Sequence, residues 1–366
     1  MTLLDQIANR ASPRRLLIAA VLVLIVVGSQ IGGLGRPPTP ESVAAPAQAV
    51  ESGSVAPATS GPAAPDDAPN GQEAATSSSG PTSQGAATTL ALPASPTLDA
   101  LLASPAIPNF RHIYVIVMEN REYGTIVGNP EAPYINGLIA RYGLATNYRA
   151  VAHPSQPNYI ALFSGSTQGV TDNGVHRLSR RNLVDQLAAH GISWRVFAQN
   201  VPLGCFTGAT ASGGPDGPGE YARKHEPAIS FTSITRRPSR CAKIRDFSHF
   251  SPSIARFELI VPNMCNSMHD CSTAKGDAFL RGFMPKILKS PAMTGSVVFL
   301  TWDEGSSNLG GGGRIATVVI GPTVKRGYHS ATRHSHYSLL RTIETAWGLG
   351  CLNRSCSANT LREFFR

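Results

Sequence analysis

The run HIYVIVMEN, residues 112–120, packs β-branched and aromatic side chains into one short segment and then turns abruptly polar at Glu119 and Asn120. A bounded apolar run of this length predicts a strand buried on both faces. Its pattern recurs. FELIVP (257–262) runs into Asn263 and then His269-Asp270, and SVVFLTW (296–302) runs into Asp303-Glu304. ISWRVFA (192–198) and IATVVIG (315–321) are two further strand candidates. Between them lie helical patterns: PYINGLIARY (133–142), PNYIALFS (157–164), NLVDQLAAH (182–190), GDAFLRGFMPKIL (276–288) and HYSLLRTIETAW (336–347). Four of these stop at a glycine, namely Gly143, Gly165, Gly191 and Gly348, the residue that most readily closes a helix. Strands alternating with helices predict an α/β sheet, and such sheets bind ligands beyond the carboxyl ends of their strands. Three strands ending in polar residues therefore nominate one site.

Glu119, Asn120, Asp303 and Glu304 offer hard oxygen donors without thiols, a set suited to Mg²⁺, Ca²⁺ or Mn²⁺. An acidic residue at one strand end is ordinarily a solvated turn, so the weight lies in the repetition. AHPSQPNYIALFSG (152–165) supplies the partner chemistry. Ser155 is expected at the N-cap of a helix with Pro157 in its first turn. Free amides and the positive end of the helix dipole at that point stabilise an alkoxide or a bound phosphoryl group. Asn158, three residues on, shares the helical face and is expected to donate to a phosphate oxygen. A metal beside Ser155 lowers the pKa of its hydroxyl. The plainer use of the same pattern is a simple helix cap.

The flanks differ from this core. Three arginines precede an uncharged apolar run from Leu16 to Gly35, which predicts a membrane signal within residues 1–35 with its amino terminus cytoplasmic. Its length favours an uncleaved signal-anchor over a cleaved signal peptide. No amphipathic face supports a buried core helix there. Residues 36–100 are rich in Pro, Ala, Ser, Gly and Thr and predict a disordered linker. The folded domain is expected over 101–366, exported, and either anchored to the outer face of the cytoplasmic membrane or secreted after cleavage. Of the net charge of +9 on the chain, residues 1–35 carry +2 (three arginines against Asp5) and 36–100 carry −5 (Arg36 against six acids), leaving +12 on 101–366. That excess attracts anions. No aromatic-interleaved motif favours nucleic acid. All six cysteines lie in the same part; their spacing suggests pairs 265–271 and 351–356 and, by elimination, 205–241. A thiolate metal site is the weaker reading, since no C-x-x-C occurs.

At these residues a resemblance enters. HIYVIVMENREY, AVAHPSQPNYIALFSG, YARKHEP, VPNMCNSMHDC, GDAFL, VVFLTWDEG and RHSHYSLLRTIETAWGL resemble, in order over roughly residues 108–352, the phosphoesterase family of secreted bacterial acid phosphatases and phospholipase C-like enzymes, a branch of the alkaline phosphatase-like superfamily. The resemblance implies a central, mostly parallel sheet with helices on both faces. It implies that Glu119, Asn120, Asp303 and Glu304 hold one divalent ion together with Ser155 as nucleophile. His269 would contact phosphate or protonate the leaving group, and Lys224, His225, Asp270 and His336 would face the substrate. Asn263 and Glu304 stand where two-metal relatives carry Asp and His, which favours a single metal.

The expected reaction is hydrolysis of phosphomonoesters through a phosphoserine on Ser155, with His269 near neutral pKa so that its imidazolium favours acidic pH. The alternatives are a phospholipase C-type diesterase acting on lipid headgroups and a tethered protein that binds anions without turnover. A serine esterase lacks its G-x-S-x-G elbow here.

Overall fold

In the computed structural model, which describes residues 106–213, 220–307 and 311–366, the opening run forms β1 (Ile113–Met118) with all six side chains buried. Successive strand side chains point to opposite faces, so burial of every one means that both faces of the sheet are covered. The chain continues through α1 (Pro133–Arg141), β2 (Gly143–Arg149), α2 (Ser155–Ser164), α3 (Leu183–Ala189), β3 (Trp194–Ala198), β4 (Thr210–Ser212), β5 (Glu220–Ala222), α4 (Thr232–Thr235), α5 (Pro238–Cys241) and β6 (Ile244–Arg245). It ends with β7 (Phe257–Val261), α6 (Thr273–Leu288), β8 (Val297–Trp302), β9 (Arg314–Ile320), β10 (His329–Ser330), β11 (His334–Ser335) and α7 (His336–Trp347). The order across the main sheet is β10-β2-β9-β8-β1-β7-β3-β6, with β11 also on β2. Pairings are parallel except those of β9, which runs antiparallel to both β8 and β2. The fold is thus a mixed, mostly parallel α/β sheet. Against it α2 packs with α7, and α1 with α6.

All five expected strands and all five expected helices form, with boundaries shifted by a few residues. Six strands were not expected, β2, β4, β5, β6, β10 and β11, of which β2 is the longest. GLATNYR was read as following a helix that stops at Gly143, whereas Gly143 opens β2, and a Cβ there would meet the Phe364 ring at 2.5 Å. Gly165 and Gly348 do close their helices, with φ of 72° and 63°. At Gly165 a Cβ would also lie 1.9 Å from the Leu352 carbonyl oxygen. The three expected disulfides, Cys205–Cys241, Cys265–Cys271 and Cys351–Cys356, are present. The expected anchor (1–35) and linker (36–100) lie outside the described residues. Among those described, no helix is long and apolar enough to cross a membrane.

β1 sits at the middle of the sheet, and its register with β8 pairs Met118 with Trp302. The Glu119-Asn120 and Asp303-Glu304 turns therefore emerge side by side.

One buried acid serves the sheet and not the site. Glu258 of β7 lies in register between Tyr114 of β1 and Arg195 of β3. The Ala255 amide donates to its Oε1 at 3.3 Å, and Oε2 has no hydrogen-bond partner. Burial pushes its carboxyl up to about 8, against ~4.3 in an unfolded chain. The folded state then holds the proton more tightly, so the stabilisation is fully present below the unfolded value and is lost as pH rises through the folded one. Unfolding midpoints measured between about pH 5 and about pH 9 should fall with pH, and Glu258→Gln should flatten that slope and equal or exceed the parent at the alkaline end. An unchanged slope in the variant would refute this account.

Candidate active site

Asn120 adopts φ 42°, a left-handed conformation that Asn tolerates better than other non-glycine residues and that recurs at functional turns. The bend brings its amide N–H to Asp303 Oδ1 at 3.2 Å and its carbonyl oxygen to Arg121 Nη1 at 2.9 Å. Arg121 also donates to the Cys271 carbonyl at 2.8 Å, tying the end of β1 to the loop closed by Cys265–Cys271. Across this turn, Ser155 Oγ donates toward Glu304 Oε1 at 3.1 Å and Asn120 Oδ1 at 3.3 Å. Glu119, Asp303, Glu304 and Ser155 are all at most 1 % exposed.

Three buried carboxylates in one place repel one another. Burial raises the Glu119 carboxyl well above its ordinary range, and the neighbouring Asp303 charge adds to that. Burial likewise pushes Asp303 up to about 6 and, with Asp303 beside it, Glu304 up to about 8. The compensation is partial. Tyr159 OH donates to Glu119 Oε1, His225 Nε2 stands 3.0 Å from Glu119 Oε2, and His153 Nδ1 stands 2.6 Å from Glu304 Oε2. Asp303 Oδ2 has no hydrogen-bond partner. Among the described residues no three His, Cys, Asp or Glu side chains close around a point that would enclose an ion. The donor chemistry is nevertheless that of a hard-cation site: carboxylate, amide and hydroxyl oxygens with surplus buried negative charge and two carboxylate oxygens, Glu119 Oε2 and Asp303 Oδ2, without a hydrogen bond.

The site residues named from the sequence fall into three groups. Glu119, Asn120, Ser155, Asp303 and Glu304 come together. Lys224, His269 and Asp270 form a chain beside them: Lys224 Nζ lies 3.0 Å from His269 Nε2, and His269 Nδ1 lies 2.7 Å from Asp270 Oδ1. Lys224 is close enough to lower the pKa of both Glu119 and Glu304. Burial lowers the pKa of His269, with Asp270 opposing and Lys224 reinforcing. The expectation of extra imidazolium at His269 is therefore corrected.

The third group braces the site from behind. His336, expected to face the substrate, is fully enclosed: Nε2 lies 2.5 Å from the Asp303 carbonyl oxygen and Nδ1 3.3 Å from Tyr148 OH. Burial lowers its pKa to about 4, so it is a neutral donor that fixes the Asp303 backbone. His225, also expected at the substrate, is buried against Glu119 and stacks on Tyr159 with ring centroids 5.5 Å apart. Asn158 was expected to reach a phosphate, but its amide is occupied by the preceding loop. Val151 N and Ala152 N donate to its Oδ1 at 2.9 and 3.1 Å, and its Nδ2 donates to the Ala152 carbonyl at 2.8 Å.

The cap expectation needs the same adjustment. α2 begins at Ser155 itself, its N-cap is Pro154, and no side chain caps it. Gln156 N already donates to Asn173 Oδ1 at 3.0 Å. Ser155 is thus the first helical residue, held by the acidic turns and not by its own helix. Sequence reasoning missed Tyr159, Arg121 and the role of His153. The first had a faint signal, since Tyr159 stands four residues after Ser155 on the same helical face. At the Gly-rich 305–314 segment, a Cβ at Gly312 would lie 2.0 Å from the Ala152 carbonyl oxygen, so its described part packs tightly against the loop that precedes Ser155.

Comparison with known proteins agrees with this geometry. The model of the Phosphoesterase family matches residues 129–350. A phosphatidylinositol-3-phosphatase of Mycobacterium tuberculosis is 35% identical over 66% of this chain and 78% of its own length. An acid phosphatase of Aspergillus fumigatus is 28% identical over 69% of this chain and 58% of its own, so the chain spans little more than half of that fungal relative. A solved alkaline phosphatase superfamily protein from Vibrio parahaemolyticus superposes over 70% of this chain and 71% of its own, with a TM-score of 0.47 and 13% identity. The strand-end acids, the enclosed serine and the family match converge on one conclusion: the chain belongs to the phosphoesterase family and is a hydrolase acting on phosphoric ester bonds.

Proposed function

We propose that the chain hydrolyses phosphomonoesters through a phosphoserine on Ser155, assisted by one divalent metal ion. The observation that carries this reading is the enclosed Ser155 hydroxyl, aimed at Glu304 and Asn120 with Lys224 and His269 alongside. Relatives named acid phosphatase support the monoester.

Glu119, Asn120, Asp303, Glu304 and Ser155 would hold the ion, which when bound offsets their mutual repulsion and favours ionisation of the serine hydroxyl. Ser155 Oγ loses its proton toward Glu304, to which it already donates, while His153 holds the far oxygen of that carboxylate in place. Oγ then attacks phosphorus in line and the ester P–O bond breaks. Lys224 offsets negative charge on the phosphoryl oxygens, the dominant need in phosphoryl transfer. The alkoxide takes its proton from the Lys224–His269 pair, in which the ammonium donates to Nε2 and Nδ1–H donates to Asp270. Water gives one proton back to the Lys224–His269 pair as it attacks the phosphoserine, the P–Oγ bond breaks, the proton held by Glu304 returns to Oγ, and phosphate leaves. Three disulfides suit an oxidising compartment, and residues 1–35 would keep the enzyme at the membrane or direct its secretion.

Ser155→Ala in the full chain should cut release of p-nitrophenol from p-nitrophenyl phosphate by at least about 1,000-fold, and Lys224→Ala by about 100-fold. Retained turnover in Ser155→Ala would discard the phosphoserine route. Faster cleavage of phosphatidylcholine than of the monoester would move the assignment to a phospholipase C-type diesterase.

The metal is tested without turnover. A hundredfold excess of a tight-binding Mg²⁺, Mn²⁺, Ca²⁺ or Zn²⁺ over its Kd should stabilise the chelator-treated protein by about 2–3 kcal/mol, read as a higher unfolding midpoint. Asp303→Asn should remove most of that gain. An equal shift in the variant would place the ion elsewhere.

A further inference from the structure

Two cavities meet at the nucleophile loop. One, of about 300 Å³, is lined by Ala152 and His153 together with Val151, Tyr337 and Arg354. The other, of about 510 Å³, shares Val151, Tyr337 and Arg354 and adds Arg149, Arg333 and His334. They adjoin, because the same three residues, Val151, Tyr337 and Arg354, line both. One end lies at His153, which contacts Glu304 beside Ser155. At the other end, three guanidinium groups line one space.

These arginines are placed by the fold and not by chance encounters of long side chains. Arg149 ends β2 and stands opposite Ser335 in the parallel β2–β11 pairing, and Arg333 precedes β11 directly. Arg354 lies in a short turn of helix within the loop closed by Cys351–Cys356; its backbone N–H donates to the Gly165 carbonyl at 2.9 Å and its guanidinium lies over the Tyr337 ring at 5.9 Å. Among the described residues the arginines within ion-pair distance of an acid are Arg240, Arg281 and Arg341, so none of these three is neutralised. The nearby acid Glu363 is taken by His334 Nε2 at 2.6 Å and Ser330 Oγ at 2.9 Å. His334 is itself buried, and its Nδ1 has no hydrogen-bond partner. Three unpaired guanidinium groups around one concavity match a phosphate, whose oxygens accept paired N–H donors.

We propose that this cavity binds a second phosphate group of the substrate, carried on the same molecule as the ester that Ser155 attacks; the proposal rests on the phosphomonoesterase reading. Val151, which walls the cavity, is four residue steps from Ser155, at most about 14 Å of extended chain, so the near wall of the cavity is within reach of a compact molecule bound at Ser155, such as a bisphosphorylated polyol. The second phosphate reaches the cavity either as a free monoester on a soluble polyol or as the phosphodiester that joins a polyol headgroup to a lipid.

Three substrates separate these cases: glucose 6-phosphate, glucose 1,6-bisphosphate, and phosphatidylinositol 3-phosphate in phosphatidylcholine vesicles. The parent should show a KM at least about tenfold lower for one of the two substrates with two phosphate groups than for glucose 6-phosphate, the scale of one charge-assisted contact. In the Arg149→Ala/Arg333→Ala double variant that advantage should shrink below about threefold. Turnover of p-nitrophenyl phosphate, which carries one phosphate, is the control for an intact nucleophile, and an unchanged unfolding midpoint is the control for folding. Preference for the soluble bisphosphate identifies a free phosphate as the ligand; preference for the vesicle identifies the lipid diester. An advantage that survives the double variant, or that is absent from both substrates in the parent, overturns the subsite. Calorimetric titration of Ser155→Ala with glucose 1,6-bisphosphate and with soluble dioctanoyl phosphatidylinositol 3-phosphate keeps the two proposals separable. Arginine-dependent binding of either without turnover by the parent would sink the phosphoserine mechanism and leave the subsite. Normal p-nitrophenyl phosphate turnover without any arginine dependence would do the reverse.

Discussion

Mutual repulsion among Glu119, Asp303 and Glu304 organises this molecule. The Met118–Trp302 register places two acidic turns side by side at the end of a sheet covered on both faces. Water cannot screen charges held there, so each carboxylate shifts toward its protonated form. Most of the polar groups nearby answer that strain. Tyr159 donates to Glu119, His225 stands beside it without a hydrogen bond, His153 serves Glu304, the Asn120 amide serves Asp303, and His336 holds the Asp303 backbone. Yet the neutral donors only redistribute the charge. A hard cation held by the same oxygens would offset it.

Ser155 sits opposite that charge on a fully buried helix. Every residue of α2 is buried, which is why its sequence lacks an amphipathic stripe. Asn158 binds the 151–154 loop through both ends of its amide, and glycine at 165 and 312 lets neighbouring backbones approach more closely than any side chain would permit. A serine positioned this way loses little motion when it attacks, and restricted geometry of that order is what separates a reactive hydroxyl from an ordinary one.

How legible this was depends on what each residue's task leaves in the sequence. Strands β1, β3, β7, β8 and β9 are buried on both sides and so were written as continuous β-branched runs. β2 has a half-buried outer stretch, and GLATNYR carries no such run; its strand character comes from pairing with β9, a partner far along the chain. The metal-type oxygens were readable because strand ends converge by topology. The direction of a histidine was not. His336 and His225 occupy the places the resemblance implies, but whether an imidazole faces substrate or holds a neighbour is decided by packing several elements away. Asn158 shows the same limit, since its spacing from Ser155 fixed its helical face without revealing that a loop already claimed its amide.

Charge is segregated between the floor of the site and its rim. Residues 101–366 carry an excess of +12, yet the floor of the site is acidic and nearly closed to solvent. The positive charge near it lies at the margins, in Lys224 and in the arginines beyond His153. A phosphate ester approaching over that margin is attracted, but at the floor it meets carboxylates that repel it. Neutralising the floor would remove that barrier, so in the proposed single-metal reading a divalent ion would act on affinity as well as on the reactivity of Ser155. The sign of the field at Ser155 would then depend on that ion, while the sign at the rim is built into the chain.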